Sequence, residues 1–384
     1  MRLFDVNQRQ VQRFDLWLAL LVVGLSVFGV FLLRGSIGSE SLMVLARRQL
    51  MWIALGAAIL VVCCFLDLKT VEVVSYPLYA FCLLLLVGLF FLGHGSGGAH
   101  AWYKVGHHQI QPSEFAKILT VVVLASHLSR FRTQLGRVTG LTVPALIVGV
   151  PALLTLLQND TGTAIVFIPI FLTMIYMAGV PKRILGALAI AALLAAVIVL
   201  PRMHAYQLAR ISTVLGRRLS DPLMQAIGRN PEEIWRLAES KSVWHGEQAR
   251  IALGSGRLFG KGWGQGTQTG LGWVPRFYTD SIFAPLGEQF GFVGCALLLA
   301  AYAFIALRGA RIALDARDMF SSLLVVGLLT IFVVHVLINL GMAVDLLPII
   351  GLPLPFLSYG GSFLLTLFVL FGLILNVGMK KYLY

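Results

Sequence analysis

The stretch LWLALLVVGLSVFGVFLL, Leu16 to Leu33, decides the fold before any other part of the chain is read. It carries no charge along its length, and a helix of roughly 20 such residues crosses the ~30 Å hydrocarbon core of a bilayer. Comparable runs follow near 50–66, 73–92, 114–129, 141–157, 163–179, 184–200, 281–306, 321–342 and 362–379, giving about ten spans. The fourth is the most polar, opening on Glu114 and containing Lys117. Around these runs, 58% of the 384 residues are hydrophobic and only 12% charged, about half the charged share of an ordinary soluble domain. The expectation is an all-α membrane protein, one polytopic domain over 1–384, with a single long loop over 201–280 between the seventh and eighth spans. Met1 to Asp15 is polar and basic, and the run behind it has no A-x-A-like cleavage site, so it reads as a first span and not a removable signal. No repeat at a fixed period and no low-complexity tract interrupts the pattern.

The net charge of +13 belongs to topology, not to nucleic acid. With an even number of spans both termini share one side. That side carries Arg2, Arg9, Arg13, Lys69, Arg130, Arg132, Arg137, Lys182, Arg183, Arg308, Arg311, Arg317, Lys380 and Lys381, against Arg34, Arg47, Arg48 and Lys104 in the short loops opposite. Short cytoplasmic loops hold the Lys/Arg excess, so both termini are expected in the cytoplasm. The polar stretches 97–117, QNDTGT (158–163), the long loop with its exit 278–294, and GLPLPFLSYGGS (351–362) then all fall on the outer face. Unrelated turns would divide between the faces; these choose one, which points to a single site at the outer leaflet. The four cysteines, Cys63, Cys64, Cys82 and Cys295, lie inside apolar runs and support neither a disulfide framework nor a zinc site.

Within these loops the residues that could carry chemistry each have a plain structural alternative. Asp280 stands where the long loop enters the eighth span. It reads either as a helix cap or as a general base at the membrane surface, able to accept a sugar hydroxyl proton. Glu114 and Lys117, three apart, share a helix face; they form a mutual ion pair or line a polar entrance where Lys117 meets a phosphate. Asp160 precedes Thr161 and Gly162 in a turn and reads as an N-cap for the sixth span. The run 254–273 holds eight glycines in twenty residues, but it is no P-loop, because Ser255 stands where the first glycine must be. It is a flexible connector or an anion-approaching backbone with Lys261 and Arg257 supplying charge. Asn339 reads as an interhelical hydrogen-bonding residue and the pair His107/His108 as polar loop residues. An amphipathic helix is expected around His204 to Leu219, with Arg210, Arg217 and Arg218 on its polar side. A reaction outside the cell would need a substrate activated in advance, such as a lipid-linked pyrophosphate.

The motifs QPSEFAK (111–117), GSGRLFGKGW (254–263), TDSIFA (279–284), GEQFGFVG (287–294) and LPLPFLSYGGS (352–362) resemble, in order and along nearly the whole chain, the SEDS family of shape, elongation, division and sporulation proteins, and its elongation members more than its division members. The resemblance implies a peptidoglycan glycosyltransferase of the bacterial cell (inner) membrane. It would polymerise lipid II at the outer leaflet, on undecaprenyl-pyrophosphate-linked glycan, for elongation and cell shape. The partners implied are a class B penicillin-binding protein and elongation-complex membrane proteins. It places the catalytic carboxylate on Asp280 and substrate-binding roles on Glu114, Lys117, Asp160, Lys261, Ser358 and Gly360; a divalent cation, Mg or Mn, is the cofactor to consider. The alternatives are a lipid II flippase and a non-catalytic activator of the penicillin-binding protein. The chain departs from the family pattern at Ala101, Asn159, Arg257, Arg276, Tyr278 and Gln289.

Overall fold

A computed structural model describes residues 13–36, 40–96, 99–106, 108–199, 201, 205–238, 241–274, 277–348 and 350–380. Arg2, Arg9, His107, His204, Arg276 and Lys381 lie outside the described residues. A helix stands at each predicted stretch: α1 (Leu16–Gly35), α2 (Glu40–Cys64), α3 (Leu68–Leu92), α4 (Pro112–Arg130), α5 (Thr142–Leu157), α6 (Thr161–Met177) and α7 (Lys182–Val199), then, beyond the long loop, α12 (Phe283–Leu314), α13 (Met319–Ala343) and α14 (Gly361–Met379). Seven helical stretches among the described residues are long and apolar enough to cross a bilayer, and α6 is a shorter apolar helix. The helices overrun the predicted stretches: α2 begins ten residues before the apolar run at Leu50, and α12 continues to Leu314. Hydropathy marks the part of a helix that suits lipid, whereas backbone hydrogen bonding carries on into the polar flanks.

Burial is inverted relative to a soluble protein. Trp17, Leu84, Phe91, Leu297 and Leu307 are exposed, while Gln49, Glu114, Lys117, Glu288, His335, Asn339 and Asn376 are buried. An apolar exterior with its polar groups paired inside is what a lipid solvent demands, since no water satisfies them there.

Cross-links between helix ends sort the bundle into two poles. At one, Arg130 at the end of α4 meets Glu72 near the start of α3 at 2.7 Å, and Arg308 late in α12 meets Asp15 before α1 at 3.0 Å. At that pole too, Asn376 Nδ2 and Lys380 Nζ donate to the Leu66 carbonyl, supplying partners for carbonyls freed by the end of α2. The opposite pole is polar and irregular. There a three-stranded antiparallel sheet, β1 (His94–Ser96), β2 (Ala99–Val105) and β3 (His108–Ile110), leads into α4. This sheet departs from the all-helical expectation. β1 and β3 have three residues each, and the seven of β2 (AHAWYKV) break the apolar–polar alternation at Ala101, Trp102 and Tyr103. Tyr103 Oη pins the sheet to α3 by donating to the Leu85 carbonyl at 2.8 Å.

The long loop is itself helical: α8 (Ala205–Ala226), α9 (Pro231–Ala238), α10 (Lys241–Ser255) and the single turn α11 (Thr267–Gly270). The expected amphipathic helix is present within α8, kinked at Gly216. Leu208, Ala209, Met224 and Ile234 form a small core of their own, and Trp235 Nε1 donates to Asp221. The glycine-rich run after α10 is not a loose connector. Helix α12 breaks at Gly291 (φ 63°, ψ −162°), and the run docks along the break. Lys261 N–H donates to Glu288 O and Gly262 N–H to Gln289 O, while Phe292 and Val293 N–H donate to Arg257 and Leu258 O. A Cβ at Gly256 or Gly260 would collide with the α12 backbone, so the glycines permit a backbone-to-backbone approach.

Candidate active site

At the polar pole, α4 starts with Pro112 in its first turn, which brings Glu114 and Lys117 into the bundle within two turns. Lys117 is fully enclosed. Its Nζ lies 2.9 Å from Glu114 Oε1 and 2.9 Å from His335 Nε2 on α13. A lysine has only donors, so Nε2 accepts, and Nδ1–H is left to donate over a long 3.4 Å to the Pro353 carbonyl. Phe363 closes the cluster, its ring tilted by 31° to that of His335 with the centroids 4.6 Å apart. The structural reading of Glu114 and Lys117 is therefore present, enlarged by a third member. The pair alone would bury an ammonium with one partner; the imidazole supplies a second, which lowers the cost of desolvation.

One turn beyond His335, Asn339 is buried on the same face of α13. Its Nδ2 donates to the Asp280 carbonyl at 2.8 Å and to the Leu352 carbonyl at 2.7 Å. Asp280 does not cap α12, whose N-cap position is Ile282. It is instead half-buried, and its carboxylate faces Gly351, where an added Cβ would stand 3.5 Å from Oδ2. Gly351 takes a φ of +83°, a conformation that favours glycine. Next to it, the Ile350 carbonyl leaves no room for a Cβ on Gly162. The exit of the long loop, the turn before α6 and the segment before α14 thus meet at Asp280.

Asp160 occupies the cap position of α6, accepting from Thr163 N–H at 3.1 Å, and its other oxygen accepts from Gln111 Nε2 at 2.6 Å. Gln111 N–H in turn donates to Ser362 Oγ. Tyr359 N–H donates to the Tyr278 carbonyl at 2.7 Å, and the two rings meet edge to face. Burial pushes the Tyr359 phenol up, and the neighbouring Arg48 guanidinium pulls it back. Ser358 turns inward, its Oγ accepting from Leu354 N–H and its carbonyl from Gln49 Nε2. Gly360 is the cap residue of α14, in extended backbone that any residue adopts.

Lys261 belongs to a different cluster. Its Nζ donates to Glu288 Oε1 at 2.8 Å and to Thr267 Oγ1 at 2.8 Å. Glu288 is buried and further accepts from the backbone N–H groups of Gln268 and Thr269 and from Thr269 Oγ1. No described contact joins Lys261 to Asp280. Sequence reasoning brought Asp280, Glu114, Lys117 and Asp160 to one pole, and the structure does the same. The sequence alone assigns no individual role to His335 or Glu288, only topology to Arg48 and an interhelical hydrogen bond to Asn339. An ionisable residue inside an apolar run was the available signal for the first two.

The departures have visible consequences. Asn159 sits at φ +60° and ends α5 in a Schellman pattern, with Asp160 N–H bonded to Thr155 O and Asn159 N–H to Leu156 O. The proline of the family pattern, locked near −65°, cannot adopt that conformation. Arg257 occupies a left-handed φ of 50°. Gln289 Nε2 donates to Ser36 Oγ at 2.7 Å, and its Oε1 accepts from Gly264 N–H. Ala101 is buried in β2. For a divalent ion the donor set is poor: among the described residues no three His, Cys, Asp or Glu side chains converge. Magnesium can manage with one or two carboxylates and substrate phosphates, but Asp160 spends its oxygens on Thr163 and Gln111. Among the described residues, side chains alone do not build a metal site.

Fold and site together define a multi-pass helical membrane protein whose buried acidic and cationic groups gather at one pole. The family model for cell cycle proteins of the FtsW, RodA and SpoVE type matches residues 12–383. The chain belongs to this family, the SEDS proteins. Among relatives, it is 33% identical over 365 residues to the peptidoglycan glycosyltransferase MrdB of Escherichia coli K12, covering 94% of this chain and 93% of that one. It is 34% identical to the stage V sporulation protein E of Bacillus subtilis, covering 86% of each. Among solved structures, it resembles a chain of a peptidoglycan synthase complex that coordinates polymerization and crosslinking, with a TM-score of 0.78, 29% identity and coverage of 97% and 99%.

Proposed function

We infer that this protein is a peptidoglycan glycosyltransferase serving cell wall elongation, and we propose Asp280 as its general base. The observation that carries the assignment is the position of Asp280 at the polar pole. Asp280 is half-buried where three segments converge and is anchored through its backbone carbonyl. A base must be held in place yet reach its substrate, and this arrangement does both.

In the proposed reaction the 4-hydroxyl of an acceptor GlcNAc gives its proton to Asp280 as its oxygen attacks the anomeric carbon of MurNAc in the lipid-linked donor. The bond to undecaprenyl pyrophosphate breaks, and its electron pair leaves with the pyrophosphate. Attack on an α-linked donor gives the β-linked product by inversion, with one carboxylate sufficient because the leaving group needs no general acid. Arg48, beside Tyr359 and exposed in part, is a cation of this pole suited to the departing charge. Ten spans, cytoplasmic termini and a site facing the periplasm or cell exterior are supported by the two-pole pattern, in which Arg130, Arg308 and Lys380 lie opposite the site. The synthase-complex neighbour supports a class B penicillin-binding protein as partner.

The test is incubation of the chain, with a cognate class B penicillin-binding protein, in labelled lipid II. Wild type is expected to produce glycan strands and Asp280→Ala to produce them at least about 100-fold more slowly, at equal expression and melting temperature. Strand synthesis by the variant at the wild-type rate overturns the assignment.

A further inference from the structure

Helix α13 carries, on one face and one turn apart, His335 and Asn339, and both side chains are buried. Each reaches the same segment of backbone before α14: His335 Nδ1 lies 3.4 Å from Pro353 O, and Asn339 Nδ2 lies 2.7 Å from Leu352 O. Asn339 also spans to the Asp280 carbonyl at 2.8 Å. One amide group therefore fixes the distance between the residue before α12 and the segment that holds Gly351 against the carboxylate. Behind it, His335 ties that segment to the fully enclosed Lys117, and through it to Glu114.

We propose that Asn339 is a positioning residue for Asp280, and that His335 extends the same clamp to the buried Glu114–Lys117 pair, so that the pair acts on the reaction by fixing backbone and not by touching substrate. The inference rests on the reading of Asp280 as the base. Its physical content is that a small displacement of a catalytic group costs rate without costing affinity. An Asn donating twice to two chain segments leaves neither free to move alone. The imidazole matters by atom: Nε2 serves Lys117, Nδ1 serves Pro353.

The experiment uses the full chain with its class B partner and reads two quantities for each variant: kcat on lipid II, and the stoichiometry and affinity of binding to a lipid II analogue lacking the acceptor 4-hydroxyl. For Asn339→Leu, kcat is expected to fall about 30- to 100-fold, while the analogue binds at full stoichiometry within about threefold of the wild-type Kd. A merely structural role would lower stoichiometry in step with kcat, and that result overturns the proposal, as does a kcat within about threefold of wild type. Should Asn339→Leu fail to fold, His335→Gln and His335→Asn carry the test. The Gln oxygen keeps an acceptor for Lys117 but loses the donor to Pro353, and is expected to lose kcat about tenfold at full stoichiometry; the Asn amide keeps that donor and is expected to lose less. Equal, wild-type behaviour of both overturns it. Asp280→Ala in the same series separates the two readings: if it polymerises at the wild-type rate, the base assignment falls; if it is at least about 100-fold slower while the clamp variants are unimpaired, only the clamp falls.

Discussion

Asp280 and Glu288 are eight residues apart at the entry to α12, both acidic, and the fold treats them oppositely. Glu288 is fully enclosed and saturated by Lys261, two backbone amides and two threonine hydroxyls, all from the glycine-rich run. Asp280 is half-buried and gripped through its main chain by Asn339. The difference teaches that placement separates the two: Glu288, enclosed by the glycine-rich run, organises structure, whereas Asp280, partly exposed at the polar pole and gripped through its main chain, stands where the proposed base must stand. The glycine-rich run then counts as scaffold, a clasp over the break at Gly291, and its lysine as the counter-charge of that clasp.

The comparison breaks most readily at its catalytic end. Asp280→Ala should lower glycan synthesis by about 10²- to 10⁴-fold, the usual worth of a general base, with no change in melting temperature; a labelled lipid II assay beside a thermal melt in detergent reads both. Glu288→Ala should do the reverse. It strands Lys261 and four donors, costing about 3–5 kcal/mol of stability, and activity should follow only the folded fraction. Adding Lys261→Met should restore part of the loss in the melt, because removing both partners is milder than removing one. Gly291→Ala tests the break itself. A Cβ there meets Gly260 N in a left-handed conformation, at about 1–2 kcal/mol or more, visible as a lowered melting temperature. The smallest effect is expected from Arg257→Gly, which relieves a left-handed arginine and should leave stability unchanged or raised by up to about 1 kcal/mol.

Much of the architecture was legible in the sequence. A helix stands at every predicted stretch, because an apolar run long enough to span must satisfy its own backbone in lipid. The gathering of 111–117, 158–163, 278–294 and 351–362 at one pole followed from counting turns. The Glu114–Lys117 pair followed from a spacing of three on a helix. The sheet at β1–β3 was not legible, because two of its strands have three residues and the seven of β2, AHAWYKV, do not alternate cleanly between apolar and polar. The loop after α10 looked like a connector because glycine signals backbone freedom without saying whether the fold spends it on motion or on close contact; at Gly256 and Gly260 it is contact. His335 escaped notice because its partner lies 218 residues away.

By itself the chain's order of residues settled the solvent, the succession of helices and the side on which polar turns collect, since hydropathy and charge are properties of each segment alone. Which carboxylate is enclosed and which stays partly exposed was decided only on packing, when α4, α12, α13 and the segment before α14 were brought together. Ion pairs and backbone clamps such as Lys117 with His335, or Asn339 with Asp280, are short-range, and no local pattern encodes a contact between residues so far apart along the chain.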